Sequence, residues 1–296
     1  MSPLQTQPQP SNFNRSLRVC LLSSVAFCAY GWTLSHAQSE ADLEGPQKHL
    51  WEAGVAAFGL TGPAYPGAAD DVSRVLPLPW LIYRGPVWRA GGGTFGARVV
   101  KNQFAEFDIG LGGSLRASSG DVQVREGMPT LGFLFEFGPR VKLNLARPSP
   151  GSVVRLEVPL RGVFEIESGV NYRGMALEPK LTYDHRHLGD GWGFSGSVGV
   201  FYGDQRFNQY LYGVPSAFAT PARSAYDAKA GLITPRVQLT LSHQFNKDLR
   251  MFAFTRTDWA GQGRNSSSPL HLKDQGSSLG LGAVWTLGRS AQTVVD

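Results

Sequence analysis

Val153-Val-Arg-Leu-Glu-Val-Pro-Leu-Arg-Gly-Val-Phe-Glu-Ile166 is the stretch on which the fold turns. Val154, Leu156, Val158, Leu160, Phe164 and Ile166 share one parity; Arg155, Glu157, Arg161 and Glu165 share the other. Alternation with period 2 sorts apolar and charged side chains onto the two faces of a β-strand. In a helix the same spacing would scatter the apolar residues around the axis.

The pattern recurs on both sides of this stretch. Met175, Leu177, Pro179, Leu181 and Tyr183 oppose Glu178, Lys180, Asp184 and Arg186. Val237, Leu239, Leu241 and Phe245 oppose Arg236, Gln238, Thr240, Ser242 and Gln244. Leu131, Phe133, Phe135 and Phe137 oppose Gly132, Glu136 and Gly138, and Trp192, Phe194, Val198, Val200 and Tyr202 oppose Ser195, Ser197 and Gly199. A β-sandwich or a soluble barrel would turn the apolar parity inward. A transmembrane barrel turns it to lipid and encloses the charges. Periodicity alone leaves these alternatives open.

Segment length and aromatic placement favour the membrane barrel. The alternating segments run about 10–14 residues, against a usual strand of roughly 5–6 and a tilted membrane strand of about 9–11. Trp51, Trp80, Tyr83, Trp88, Tyr183, Trp192, Tyr202, Trp259 and Trp285 fall near segment ends, where an interfacial girdle needs rings with apolar bodies and polar edges.

Composition narrows the classes further. Only 17% of the 296 residues are charged and 11% are aromatic, which argues against disorder. The 36 Gly and 19 Pro exclude a coiled coil, and 2 Cys are too few for a disulfide scaffold. The mean hydropathy of −0.16 is too polar for a bundle of membrane helices.

The N-terminal region has the three-part layout of a secretory signal. Arg15 and Arg18 form the basic part, residues 19–34 the apolar part, and Ser35-His36-Ala37 the small-residue cleavage site. Cleavage after Ala37 would leave 259 residues, remove both Cys (Cys20 and Cys28) and lower the formal charge from +5 to +3. The expected domains are therefore a removable segment over 1–37, a barrel over 38–288 and an extension over 289–296. With no basic run left, no nucleic-acid partner is expected.

Strands are predicted near 50–59, 75–84, 87–100, 104–115, 130–145, 153–166, 174–186, 191–202, 232–245, 249–260 and 278–288. A closed single-chain bacterial barrel has an even count. The predicted twelfth strand is 205–213, entered by a Gly203-Asp204 turn. Ten and fourteen are the neighbouring even counts. On this topology the short connections 84–86, 203–204 and 246–248 are periplasmic, and 61–74, 214–224 and 261–276 are outer loops. Two connections fit poorly: 116–128 is long for a periplasmic turn, and 101–103 is short for an outer loop. The last strand places Leu279, Leu281, Ala283, Trp285 and Leu287 outward like an outer-membrane assembly signal. Unlike that signal, it ends on Leu287 rather than an aromatic and is followed by nine residues.

No motif points to an active site. Gly91-Gly-Gly-Thr-Phe-Gly96 matches the dinucleotide pattern, but a strand rather than a helix follows it. Gly276-Ser-Ser-Leu-Gly280 matches a nucleophile-elbow pattern but runs from loop into strand. Asp184-His185-Arg186-His187 is the densest titratable cluster. It reads as a rim salt pair with interfacial His, and two His at i, i+2 lack further metal ligands. No catalytic residue, cofactor or metal is expected. The candidate lumen-facing set is Arg155, Glu157, Arg161, Glu165, Glu178, Lys180, Asp184, Arg186 and Arg236. It is either a self-paired electrostatic core or the lining of a narrow polar conduit.

Further features resemble the MipA/OmpV family of Gram-negative outer-membrane proteins. They are Gly62-Pro-Ala-Tyr-Pro-Gly67, Leu76-Pro-Leu-Pro79 with Tyr83-Arg84, Gln209-Tyr-Leu-Tyr-Gly-Val214, and Ser224-Ala-Tyr-Asp-Ala-Lys-Ala-Gly231. Their order and spacing cover nearly the whole chain after Ala37. The resemblance implies an outer-membrane antiparallel β-barrel in contact with outer-membrane lipids. It also implies a non-enzymatic scaffold role, in which a lytic transglycosylase is bridged to a penicillin-binding murein synthase. The alternatives are a narrow solute channel and, less favoured, an outer-membrane hydrolase or acyltransferase using His185 or His187 with a Ser.

Overall fold

The structure, a computed structural model, describes residues 47–295 apart from 92–93, 103, 115–121, 167–168 and 187. The segment read as a signal, including its cleavage site, lies outside the described residues, as does His187.

Twelve antiparallel strands close into a barrel. They are β1 (Trp51–Pro63), β2 (Asp71–Arg84), β3 (Trp88–Gly91), β4 (Thr94–Lys101), β5 (Ala105–Ser114), β6 (Phe133–Ala146) and β7 (Ser152–Ile166), followed by β8 in two segments (Val170–Leu177 and Lys180–His185). Then come β9 (Trp192–Gly203), β10 (Gly231–Gln244), β11 (Leu249–Asp258) and β12 (Gly276–Arg289). Both segments of β8 occupy one place in the wall, between β7 and β9. The ring closes where β12 pairs with β1, from Leu279 opposite Thr61 to Arg289 opposite Glu52.

The wall is inside-out relative to a soluble β-domain. In β12, Ser278, Gly280, Gly282, Val284 and Thr286 are buried. The intervening Leu279, Leu281, Trp285 and Leu287 are 53%, 62%, 58% and 66% exposed. This is the parity of a lipid-facing wall around a polar interior. Exposed aromatics mark two levels on it. Trp51, Trp88, Trp192 and Trp285 lie near the end of the barrel where the described residues begin and finish, the terminal end; Phe133, Tyr172 and Tyr202 lie near the opposite, loop end. Along β9, Trp192 and Tyr202 are separated by about 33 Å of strand, roughly 23 Å at a tilt of about 45°, close to the height of an outer-membrane apolar band.

Two sequence expectations are corrected, and they compensate in the count. Residues 205–213 are not a strand: Gln205–Tyr212 is a helix, α1. Asp204, instead of sitting in a hairpin turn, is its N-cap, with Oδ1 accepting from Phe207 N at 2.8 Å. Phe207, Asn208, Leu211 and Tyr212 are buried at i, i+1, i+4, i+5, so the helical period prevails over the strand period. The stretch 87–100 is not one strand but two, β3 and β4, pairing from Trp88 opposite Ala97 to Gly91 opposite Thr94. Gly91 has φ +146, a conformation open to glycine, at the start of this reversal. The dinucleotide-like match therefore spans a hairpin.

The extra reversal also removes both awkward connections. Lys101 and Ala105, which bound one short connection, are at the terminal end, and Ser114 and Phe133, which bound a long one, are at the loop end, as is Gly203-Asp204. At the terminal end Leu50 N donates to Gln292 O, and His49 Nδ1 lies 2.7 Å from Ser290 O, so the first and last described segments meet there.

Placing a charge on the exposed parity tests this orientation. Leu281→Arg is expected to destabilise the barrel by about 2–4 kcal/mol in urea-titrated folding into lipid vesicles, because it sets a guanidinium in the apolar band. Leu281→Phe should leave the midpoint nearly unchanged.

Candidate functional site

Acidic and basic side chains on the inner parity pair across neighbouring strands. From β4 to β8 they form a chain. Arg98 meets Glu106 at 3.3 Å; Lys142 meets Glu106 at 2.8 Å and Asp108 at 3.0 Å; Arg140 holds Asp108 through two nitrogens. Arg140 and Arg155 each approach Glu157 to 3.9 Å, Lys180 reaches it at 4.0 Å, and Arg155 closes on Asp184. A second cluster centres on Arg236, 2.7 Å from Glu178 and 2.9 Å from Asp258, with Arg256 3.2 Å from Asp258. Opposite charges in direct or diagonal register cross-link the wall from inside.

Of the nine residues singled out in the sequence, Arg155, Glu157, Lys180 and Asp184 meet in the first chain, and Glu178 and Arg236 in the second. Arg161 stands apart from both and donates to the carbonyls of Gly110 and Gly138. Arg186 lies just past the end of β8 and is exposed. Glu165 belongs to another assembly, described below. Sequence reasoning missed Glu106, Asp108, Arg140, Lys142, Asp258 and Arg256. The signal was available: Glu106 and Asp108 alternate with Phe107 and Ile109, and Arg140 and Lys142 with Val141 and Leu143.

Among the described residues the buried apolar side chains are not spread along the barrel. They gather at the loop end, where Tyr65, Val122, Leu131, Leu134, Phe207, Leu211, Tyr212, Val214, Ile233 and Leu270 form one cluster. Connections 64–70, 122–132, 204–230 and 259–275 supply most of it and are stitched together by hydrogen bonds. Tyr65 Oη donates to Leu270 O at 2.8 Å, Tyr212 Oη to Pro66 O at 2.7 Å, and Arg125 Nη1 to Leu211 O at 3.1 Å. Arg223 Nη1 donates to Val124 O and Glu126 O, and Ser268 Oγ to Tyr212 O. Burial pushes the Tyr65 phenol up to about 12, so it remains a neutral donor. Burial likewise holds the Arg125 guanidinium below its ordinary value.

Glu165 joins this cap to the wall. It is fully buried on β7 and takes a hydrogen bond from Gly132 N at 2.6 Å, one from Tyr210 Oη on α1 at 2.5 Å, and an ion pair with Arg173 on β8. Arg173 also stacks over the Tyr210 ring at 4.9 Å. The helix can approach because Gly174 has no side chain: a Cβ there would lie 2.3 Å from Asp204 Oδ1 and 2.6 Å from Phe207 N. An open hollow of about 510 Å³ beside the helix is lined by Arg173, Gln205, Arg206, Gln209, Tyr210 and Asp227.

The remaining sequence candidates do not converge. His185 ends β8 at the terminal end, 3.2 Å from Tyr183 Oη, whereas Gly276–Gly280 begins β12 at the loop end. The serines of that motif and His185 are therefore at opposite ends of the barrel. Among the described residues no group of three or more His, Cys, Asp or Glu is arranged to hold a metal.

A family model described as MltA-interacting protein MipA matches residues 55–287. No curated protein matches. Solved structures resemble the chain at low identity. The translocator domain of autotransporter NalP from Neisseria meningitidis is 12% identical over 89% of this chain and 97% of that one, with a TM-score of 0.38. Outer membrane phospholipase A from Escherichia coli is 9% identical over 79% and 92%, with a TM-score of 0.35. The COG4313 outer membrane channel from Pseudomonas putida F1 is 11% identical over 83% and 98%, also with a TM-score of 0.35.

The Glu165 junction yields a direct test. Tyr210→Phe removes one donor from a buried carboxylate and is expected to weaken cap docking by about 1.5–3 kcal/mol. Faster proteolytic cutting within 213–230, with an unchanged heat-modifiable barrel band, is the expected reading.

Proposed function

The chain belongs to the MipA family of MltA-interacting proteins and is an outer-membrane barrel; from that premise we propose that it acts as a non-enzymatic envelope scaffold. In this reading the precursor is exported by residues 1–37 and cleaved after Ala37. The terminal end of the barrel faces the periplasm, and its turns hold a lytic transglycosylase and, through it, a penicillin-binding murein synthase. The family description supplies the class of the first partner.

The structural support is the cap. Four loops pack at the loop end around a buried apolar cluster, and Glu165 ties that cluster to the wall. Below it, paired charges cross-link the interior. A barrel whose loops are packed together at one end and whose interior is braced is built for rigidity, and a rigid platform suits holding partners better than passing solute. The wide separation of His185 from the serines of Gly276–Gly280 supports the absence of a hydrolytic site.

Two measurements test the proposal together. The folded full-length barrel, immobilised and exposed to envelope extract, is expected to retain a lytic transglycosylase and a penicillin-binding protein. In planar bilayers it is expected to be silent. Retention of neither enzyme, together with steady unitary conductance, would replace the scaffold by the channel reading.

A further inference from the structure

One sector of the terminal end carries cations without counter-charges. Three turns lie side by side there: 147–151 between β6 and β7, 186–191 between β8 and β9, and 245–248 between β10 and β11. Backbone hydrogen bonds join them, from Arg186 N to Gly151 O at 3.0 Å and from Gln244 N to Gly191 O at 2.9 Å. Each turn presents an exposed cation, respectively Arg147, Arg186 and Lys247. Among the described residues none of the three is paired with an acid. Of the two acids in these turns, Asp248 is taken by Arg289 at 2.7 Å, and Asp190 is exposed. Across the barrel, around β1, β2 and β12, the pattern differs. Arg84 is neutralised by Glu52 at 2.6 Å, as Arg289 is by Asp248.

The three cations stand directly on an apolar and aromatic belt. Leu145, Trp192 and Phe245, on the lipid-facing parity, are 55%, 42% and 57% exposed. The His243 ring centre lies 4.5 Å from that of Trp192 and 4.4 Å from that of Phe245. Tyr183 and His185, 3.2 Å apart, continue the belt on β8. Arg147 follows Leu145 by two residues, Lys247 follows Phe245 by two, and Arg186 follows His185 directly. At about 3.3 Å per residue, their backbones sit within roughly 7 Å of the belt that marks the edge of the apolar band. That is headgroup depth, and a long basic side chain spans the remainder.

We propose that this arc selects anionic phospholipids, with Arg147, Arg186 and Lys247 engaging headgroup phosphates while the acyl chains lie against Trp192 and Phe245. Guanidinium and ammonium groups hold phosphate oxygens through charge-assisted hydrogen bonds, and cations beside a bilayer surface attract anionic lipid. Placement decides between a lipid and an acidic protein as the occupant. The cations border the lipid-facing belt across the turns of six neighbouring strands, at the level where headgroups already stand. The paired arginines of the opposite sector have no such charge to offer, so the lipid shell is asymmetric around the barrel. This holds whether or not the barrel is a scaffold, and its test contains no partner enzyme.

The test reads which lipid touches each side of the barrel. A full-chain variant with Trp192 as its one tryptophan is folded into vesicles that mix brominated and unbrominated lipid. At Trp192, brominated phosphatidylglycerol is expected to outcompete brominated phosphatidylcholine by about fivefold for each cation engaged. A variant with Trp51 as its one tryptophan serves as the internal control. Trp51 lies at the same end, is 38% exposed and sits beside the paired Arg84. It should be quenched about equally by the two lipids. Combining Arg147→Gln, Arg186→Gln and Lys247→Gln should bring the Trp192 preference down to the Trp51 level, with the heat-modifiable band confirming a folded barrel. Raising the salt concentration should lower the preference in the parent variant. Equal quenching of Trp192 by both lipids would overturn the site and leave an acidic protein surface as the occupant. A preference that is the same at Trp51, or that survives the triple substitution, would also overturn it, by assigning the effect to overall charge.

Discussion

Every backbone N–H and C=O that enters hydrocarbon must find a partner within the protein. That constraint organises this molecule. A sheet meets it only by closing on itself, and closure is achieved by the β12–β1 seam. Once the ring is closed, parity has two destinations. Lipid takes Leu279, Leu281, Trp285 and Leu287, and the interior receives Arg140, Glu157, Arg236 and their neighbours. An isolated charge there would be expensive, so the charges are bonded across the strands.

Among the described residues the buried apolar cluster forms at the loop end of the ring, mostly from the connections. Tyr65, Phe207, Leu211, Tyr212 and Leu270 come from segments far apart in sequence and meet over the barrel mouth. Their burial is useful only if the loops are anchored. Glu165 provides that anchor by drawing a loop amide, a helix phenol and a wall guanidinium to one carboxylate. The cap and the charge-paired interior are complementary: one uses hydrophobic burial, the other uses electrostatic pairing in a partly desolvated space.

Much of the architecture was legible because a two-sided strand writes its environment into alternate residues. The parity of 153–166 and 278–288 carries directly into the wall. What escaped was decided at short range or across the fold. In Gln205–Tyr212 a strand and a short helix compete over eight residues, and the Asp204 cap decides for the helix. At Gly91 a chain reversal occurs within a run that reads as continuous. The two misreadings cancelled in the strand number, while the poor fit of 101–103 and 116–128 was their visible trace. Of the candidate site, the alternating charges of β7 and β8 could be read, but their partners depend on register between strands. The Glu165 junction joins residues 132, 165, 173 and 210, and no local pattern announces such a meeting.

The seam between β1 and β12 also has a consequence in time. Its partners are separated by more than 200 positions, so the contact that completes the ring can form only after nearly the whole chain is in place. Closure is therefore a late and slow event, and reopening must break a full strand ladder in a medium that offers the freed groups nothing. Such a molecule persists by the height of its exit barrier more than by the depth of its free-energy minimum. A protein that cannot easily be taken apart once inserted is a durable fixture of the envelope, whose presence is set by synthesis and assembly.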